Sequence, residues 1–342
     1  MLPVKHVSRR QTLGLLGGLA VATTAGAETP QKLRIRLDWT PWGNQAGIHL
    51  ANVKGWYRDA GLDVTIDDGN GSTGTVQIVG TGDDYDVGFA ALSSMMVARS
   101  KGLKLRAIAC YARNSDIGLM VPDDSGISKV SDLKGKKLAY TASSLETPFL
   151  ATFLKAGGLT RSDCELINMN GSAKLAAYLD KRVDGAFSSI PFFVPAVSQT
   201  RPSHGIRFSD AGLYIPSYGL FARQSVIDKR ADPLTRFVSA TNGAWAYIVA
   251  GHQAAGVAAI RTDRPEAKLS TKVMAGQVAS FITFFPTEAT KGKPVGTMAE
   301  ADWARATEAM KSVDLISADL KPADFYTNAL FDPALYRRIA GV

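Results

Sequence analysis

LRIRLDWTPWGNQAGIHLANVKGWY, residues 33–57, is the stretch on which the reading of this chain turns. Leu33, Ile35 and Leu37 alternate with Arg34, Arg36 and Asp38, the period of two expected of a strand buried on one face. The strand runs into a loop holding Trp39, Pro41, Trp42 and Asn44, and large aromatic side chains at a strand's exit commonly face a cleft. Ala46, Leu50, Val53 and Tyr57 then recur at helical spacing, with Asn44 placed to cap that helix.

Outward from this segment, strand-like and helix-like runs alternate. Residues 62–66, 86–89 and 104–111 read as strands, with a Met-rich helix over 92–102, a pattern that implies parallel βαβ units. Around 114–121 the chain is expected to cross to a second lobe. There 137–141, 165–169 and 185–187 read as strands, separated by helices over 146–156 and 172–181. Residues 218–222 read as the return to the first lobe, and 230–342 as amphipathic helices, over 233–249, 268–284 and 299–311, that pad it. The expected fold class is therefore α/β, with residues 28–115 plus 210–342 in one lobe and 116–209 in the other. Each lobe would hold a small, mostly parallel or mixed sheet. No internal repeat or low-complexity tract is present.

The N-terminal 27 residues read as an export signal. Lys5, Arg9 and Arg10 precede an apolar run from Leu13 to Ala25 that closes with Ala25-Gly26-Ala27, an A-x-A cleavage pattern. The paired arginines point to twin-arginine export, with the general secretory route as the alternative. No later segment is long and apolar enough to span a bilayer. The only cysteines are Cys110 and Cys164, so no lipid anchor at the signal is expected. Both are expected to be unpaired, because a bridge between the lobes would lock a hinge. The formal net charge of +8 falls to +5 without the signal, and basic residues are dispersed among acidic ones. Nucleic acid is therefore not an expected partner.

Ligands of open α/β sheets bind beyond the carboxyl ends of the strands. That singles out residues 38–45, 68–74, 89–94, 111–116, 141–147 and 187–192. Trp39 and Trp42 could stack on a ring, Trp39 the more so because it leaves the strand first, while either could belong to the core. Asn44 could bond a ligand or simply cap the helix. Residues 68–74, DGNGSTG, contain a literal G-x-G-x-x-G, but no acidic residue closes a following strand at the spacing of a dinucleotide site. Gly71 and Ser72 are better read as letting backbone amides approach a ligand at a helix start, or as a plain flexible loop. The pairs Ser93-Ser94, Ser143-Ser144 and Ser188-Ser189 each follow a strand, where hydroxyls and helix N-termini can hold a polar group. Tyr111 opens the 111–116 loop. Phe187, Phe192 and Tyr218 could close the cleft or pack in the core, with core packing the stronger reading for Phe192. The histidines are scattered, with no metal-ligand spacing, and no Ser lies in a G-x-S-x-G elbow, so neither an enzyme nor a cofactor or metal is expected.

Lys54-Gly55-Trp56-Tyr57 with Gly61, Leu62 and Val64, the turn Asp86-Val87-Gly88-Phe89-Ala90, the run Ser131-Asp132-Leu133-Lys134-Gly135-Lys136-Lys137, and Val183-Asp184-Gly185-Ala186 together resemble, in order and spacing, a known family. They are similar to the NMT1/THI5-like ABC transporter substrate-binding proteins, of the type II periplasmic binding fold. The resemblance covers roughly residues 33–250. It implies a periplasmic protein, expected to be a monomer, that delivers a small molecule to an ABC permease with its ATPase. Residues 141–148, TASSLETP, parallel the family's binding turn in the second lobe, so Ser143, Ser144 and Glu146 are carried over as candidates. For Glu146, stabilisation of a helix's first turn is an equal alternative. The family's pyrimidine synthases use a histidine in the first loop and a cysteine-rich motif. Here the loop reads Asn44-Gln45-Ala46-Gly47 and no cysteine cluster exists. Its pyrimidine binders carry a Glu after the 183–186 strand, where this chain has residues 187–192, FSSIPF. The favoured ligand is a small aromatic or heteroaromatic compound, anions included. Alkanesulfonate, taurine, nitrate or a thiamine-pyrimidine precursor come next, and a periplasmic enzyme or sensor domain is the reading from another class.

Overall fold

The alternation that opens the chain produces β1 (Gln31–Arg36), in which Leu33 and Ile35 are buried and Arg34 faces outward. This computed structural model describes residues 29–142 and 144–341, with Met1; the expected export signal and Ser143 lie outside the described residues. β2 (Leu62–Asp67), β3 (Val87–Ala91) and β4 (Leu105–Cys110) complete the first pass. The chain then forms β5 (Ile117–Pro122), β6 (Lys137–Tyr140), β7 (Glu165–Asn168), β8 (Gly185–Ser189) and β9 (Ser203–Arg207), and returns as β10 (Tyr218–Arg223). One five-stranded sheet has the order β2-β1-β3-β10-β4, the other β7-β6-β8-β5-β9. In each, the first three strands are parallel and the strand after them runs antiparallel to both neighbours. The two sheets thus share one topology although the sequence carries no repeat. Helices flank both, giving the two-lobed α/β architecture.

β3 and β5 are buried along their whole length, as strands in the middle of a covered sheet must be. That is why periodicity did not reveal β5: the 114–121 stretch expected only as a crossover is itself a strand of the second sheet. β9 also went unread. It is short and half exposed, and it is held by pairing with β5 rather than by an apolar pattern of its own.

Three further expectations change. The helix after the first loop does not run through to Tyr57. It ends at Val53, and Gly55, at φ 75°, breaks it before the short turn Trp56–Asp59. Asn44 does not cap it: Gln45 stands at the cap position, and Asn44 is wholly buried. The C-terminal helices do more than pad the first lobe, because helix Thr271–Ile282 also packs on helix Ile190–Val197 of the second. Cys110 and Cys164 are unpaired and buried, and burial pushes the Cys110 thiol up to about 12. Among the described residues no helix is long and apolar enough to cross a membrane.

Candidate functional site

The carboxyl ends of β1, β2, β6, β7 and β8 lead into one cleft between the lobes. On the first-lobe side it is lined by Asp38, Trp39, Trp42, Gly71, Ser72 and Tyr218. The β1 exit is held by its neighbours: Gly71 N donates to the Asp38 carbonyl (2.6 Å), and the Thr75 hydroxyl donates to the Leu37 carbonyl (2.8 Å). Gly69 and Gly71 of the 68–74 loop serve this contact. A Cβ on Gly69 would lie 2.0 Å from the Leu37 carbonyl oxygen, and Gly71 sits at φ 118°. Two of the three glycines of the literal G-x-G-x-x-G, Gly69 and Gly71, thus serve the packing of two adjoining loops, while Gly74 has open space around it.

The two tryptophans play different parts. Trp42 is 1% exposed and lies edge-on to Phe192 (5.3 Å), Tyr218 (5.5 Å) and Phe281 (6.0 Å), so it walls the cavity from within the core. Trp39 is half-buried and reaches across to the second lobe. It lies so close over Gly171 that a Cβ there would come within 2.4 Å of its ring.

The opposite wall is formed by Ser144, Leu145, Gly171 and Lys174, together with Ser188, Ser189 and Phe192. Lys174, 4% exposed, donates from Nζ to Glu146 Oε1 (3.1 Å) and to the Phe187 carbonyl (2.6 Å), which leaves one ammonium N–H for the cavity. Glu146 is fully buried, and its Oε1 also accepts from Thr141 N (3.2 Å). Ser189 Oγ donates to Asp116 Oδ2 (2.5 Å) at the base of the cleft. Helices Ser72–Thr81, Gly171–Leu179 and Ile190–Val197 all begin here, with their positive ends towards the cavity.

Burial raises the Asp38 carboxyl to about 7; the nearby Tyr218 hydroxyl and Asn44 amide pull it part-way back, and the charge of Asp116 adds to the rise. Asp116 is raised to about 6, again by burial, against the Ser189 and Ser217 hydroxyls. Tyr218 is pushed well above its ordinary value by burial and by Asp38. The folded protein holds the Asp38 proton more tightly than the unfolded chain does. Its contribution to stability is therefore complete below about pH 4 and is lost as pH rises towards 7, on the order of 3–4 kcal/mol in all. Asp38→Asn is accordingly expected to be more stable than the parent at pH 8 and no more stable at pH 4, as thermal unfolding at the two pH values would read. A gain equal at both would show that Asp38 does not carry this proton.

The cavity is only about 30 Å³, room for one or two waters, whereas pockets that hold organic ligands run to roughly 300–1,000 Å³. The two lobes meet across it and leave no room for a larger molecule between them.

Of the residues singled out from sequence, Trp39, Trp42, Gly71, Ser72, Ser144, Ser188, Ser189 and Tyr218 come together here. Ser143 lies outside the described residues. Tyr111 does not reach the cavity: it is buried in the first core and donates to Asn242 Oδ1 (2.8 Å). Ser93 is buried away from it, and so is the Phe187 ring, which packs on Phe153 (5.5 Å) and Phe208 (6.2 Å) while only its carbonyl serves the site. Asn44 stands behind Asp38, and Glu146 behind Lys174. Phe192, read as core, lines the cavity because its helix turns that face to the first lobe. Asp38 and Leu145 lie in the singled-out loops 38–45 and 141–147 without having been named individually, and Gly171 and Lys174 lie in none of them. The signal for the last two was available, since 169–171 is also a loop after a strand. His49 pairs with Asp263 (2.6 Å) and His204 with Asp123 (2.8 Å), both away from the cavity.

The family model described as "NMT1/THI5 like" matches residues 42–255. A Haemophilus influenzae protein named for thiamine biosynthesis is 26% identical over 224 residues, 64% of this chain and 70% of that protein. The riboflavin-binding protein RibY of Chloroflexus aurantiacus is 23% identical over 308 residues, 88% and 86% of the two chains. The 4-amino-5-hydroxymethyl-2-methylpyrimidine phosphate synthase THI11 of Saccharomyces cerevisiae is 28% identical over 110 residues, and the match spans only 32% of each. Among solved structures, a protein of Bordetella bronchiseptica RB50 superposes with a TM-score of 0.69 at 24% identity, covering 92% of this chain and 98% of that one. The alkanesulfonate-binding protein SsuA from Xanthomonas axonopodis pv. citri, bound to MOPS, gives 0.65 at 16% identity, covering 87% and 98%. The desulfurization enzyme DSZB also shares the fold, at a TM-score of 0.58, 16% identity, and 91% and 99% coverage.

Proposed function

This chain belongs to the NMT1/THI5-like family, and from that premise we propose that it is the exported, periplasmic binding component of an ABC importer, which captures a small molecule between its lobes and passes it to a membrane permease with its ATPase. The observation that carries this is the cavity itself: both lobes line it, it is shut in this structure, and it holds aromatic walls and hydrogen-bonding groups. Relatives of this family and fold include enzymes as well as binding proteins.

The ligand best suited to the site is flat, heteroaromatic and close to neutral, with an N–H donor for Asp38 and an acceptor for Lys174 on its edge. Trp39 and Trp42 supply planar apolar surface. Three carboxyl groups, Asp38, Asp116 and Glu146, lie at or beneath the cavity. Lys174 together with three helix ends, each worth about half a positive charge, roughly cancels them. No surplus of positive charge is left for a bare anion, which places sulfonate and nitrate behind a heterocycle. That two relatives are named for riboflavin and thiamine supports the same order.

The test is thermal unfolding of residues 28–342 against heterocycles, sulfonates and nitrate, since a ligand of the folded state raises the midpoint. A heterocycle that donates to the Asp38 carboxylate should bind more tightly as pH rises from 6 to 8, with proton release on binding. Stabilisation by sulfonate or nitrate alone, falling as pH rises, would move the assignment to an anion. Turnover of a bound compound would overturn the binding-protein reading.

A further inference from the structure

Gln277 lies on helix Thr271–Ile282, far in sequence from every segment that lines the cleft, and it is buried. Its amide is divided between the lobes. Oε1 accepts from Gly43 N (3.1 Å), directly after Trp42, while Nε2 donates to the Phe192 carbonyl (3.0 Å) on helix Ile190–Val197. The packing confirms how tightly this helix is pressed between the two. A Cβ on Gly43 would lie 2.6 Å from Gln277 Cβ, and one on Gly276 would lie 3.0 Å from Pro195 Cβ. Met274, Val278 and Phe281 of the same helix share the first-lobe core with Trp42. Gln277 and Gly43 therefore belong to one lobe and Phe192 to the other.

We infer that Gln277 is a positioning residue that latches the closed cleft: its Nε2–Phe192 bond forms when the lobes shut and breaks when they part, while its bond to Gly43 holds the tryptophan loop in place throughout. The latch sits at the inner side of the cavity, behind Trp42 and Phe192. Trp39 over Gly171 forms a separate interlobe contact at another wall. Closure is a balance between populations, so one net hydrogen bond shifts it about fivefold. The inference rests on reading the cleft as one that opens and shuts.

Gln277→Glu separates the two bonds, because a carboxylate still accepts from Gly43 N but cannot donate to the Phe192 carbonyl. Gln277→Met removes both without introducing charge. Small-angle scattering of the ligand-free mature protein, with acrylamide quenching of tryptophan, reads the closed fraction, and thermal unfolding checks that each variant is folded. Both variants should shift the population about fivefold towards a larger radius of gyration and raise quenching. Gly171→Ala, which obstructs closure at the Trp39 contact, is the control. If that variant opens the molecule while folded Gln277→Glu and Gln277→Met keep the parent radius, the latch is wrong and the closing cleft stands. If none of the three changes the radius, the lobes do not move apart as bodies, and the latch falls together with the cleft reading.

Discussion

Trp42→Ala is expected to lower unfolding free energy by about 3–5 kcal/mol, the range for truncating a large aromatic in a packed core. Trp39→Ala should cost less than about 1 kcal/mol yet remove most of the midpoint shift given by whichever compound stabilises the parent. The contrast follows from burial. Trp42 is enclosed by Phe192, Tyr218 and Phe281, rings drawn from both lobes and from the C-terminal helices, so its loss leaves a cavity that none of them can fill without moving. Trp39 is only half-buried and meets the second lobe at a glycine, so its loss removes a cavity wall and an interlobe contact rather than core. Urea unfolding of the two variants, beside thermal shifts with the stabilising compound, checks both halves. Equal destabilisation would show that Trp39 is core as well.

Lys174→Met should be the other severe change. It leaves the Glu146 carboxylate fully buried without its cationic partner, and breaking a buried pair from one side costs about 3–5 kcal/mol. The double variant Lys174→Met with Glu146→Gln should recover most of that loss, because the glutamine carbonyl can still accept from Thr141 N and no charge remains buried. Recovery of stability should not restore binding, since the ammonium N–H that faces the cavity is gone. Urea midpoints of the single and double variants measure the coupling directly. Additive losses would mean that the pair contributes nothing as a pair.

The local pattern of residues was enough to read the α/β class, the order of most strands and the return of the chain at β10. Alternation in β1 and the apolar run of β4 act over a few residues, and a linear reading can see them. It also placed Trp39, Trp42, Gly71, Ser72 and Ser144 at strand exits, which topology sends to one cleft, and Tyr218 at the start of the returning strand. What tertiary structure decided is which of these faces the cavity and which supports it. Glu146 and Lys174 are 28 residues apart and become a pair only when β6 and the helix Gly171–Leu179 are brought side by side. Tyr111 looks like a cleft residue by position, yet Asn242, 131 residues away, takes its hydroxyl into the core. Asp38 reads as the polar side of a strand, and only complete burial lifts its carboxyl towards neutrality. Gln277 could not have been suspected at all, since both of its partners lie in other elements. Backbone propensity is local and can be read along the chain; burial, and the pairing of polar groups that burial enforces, belongs to the packed molecule.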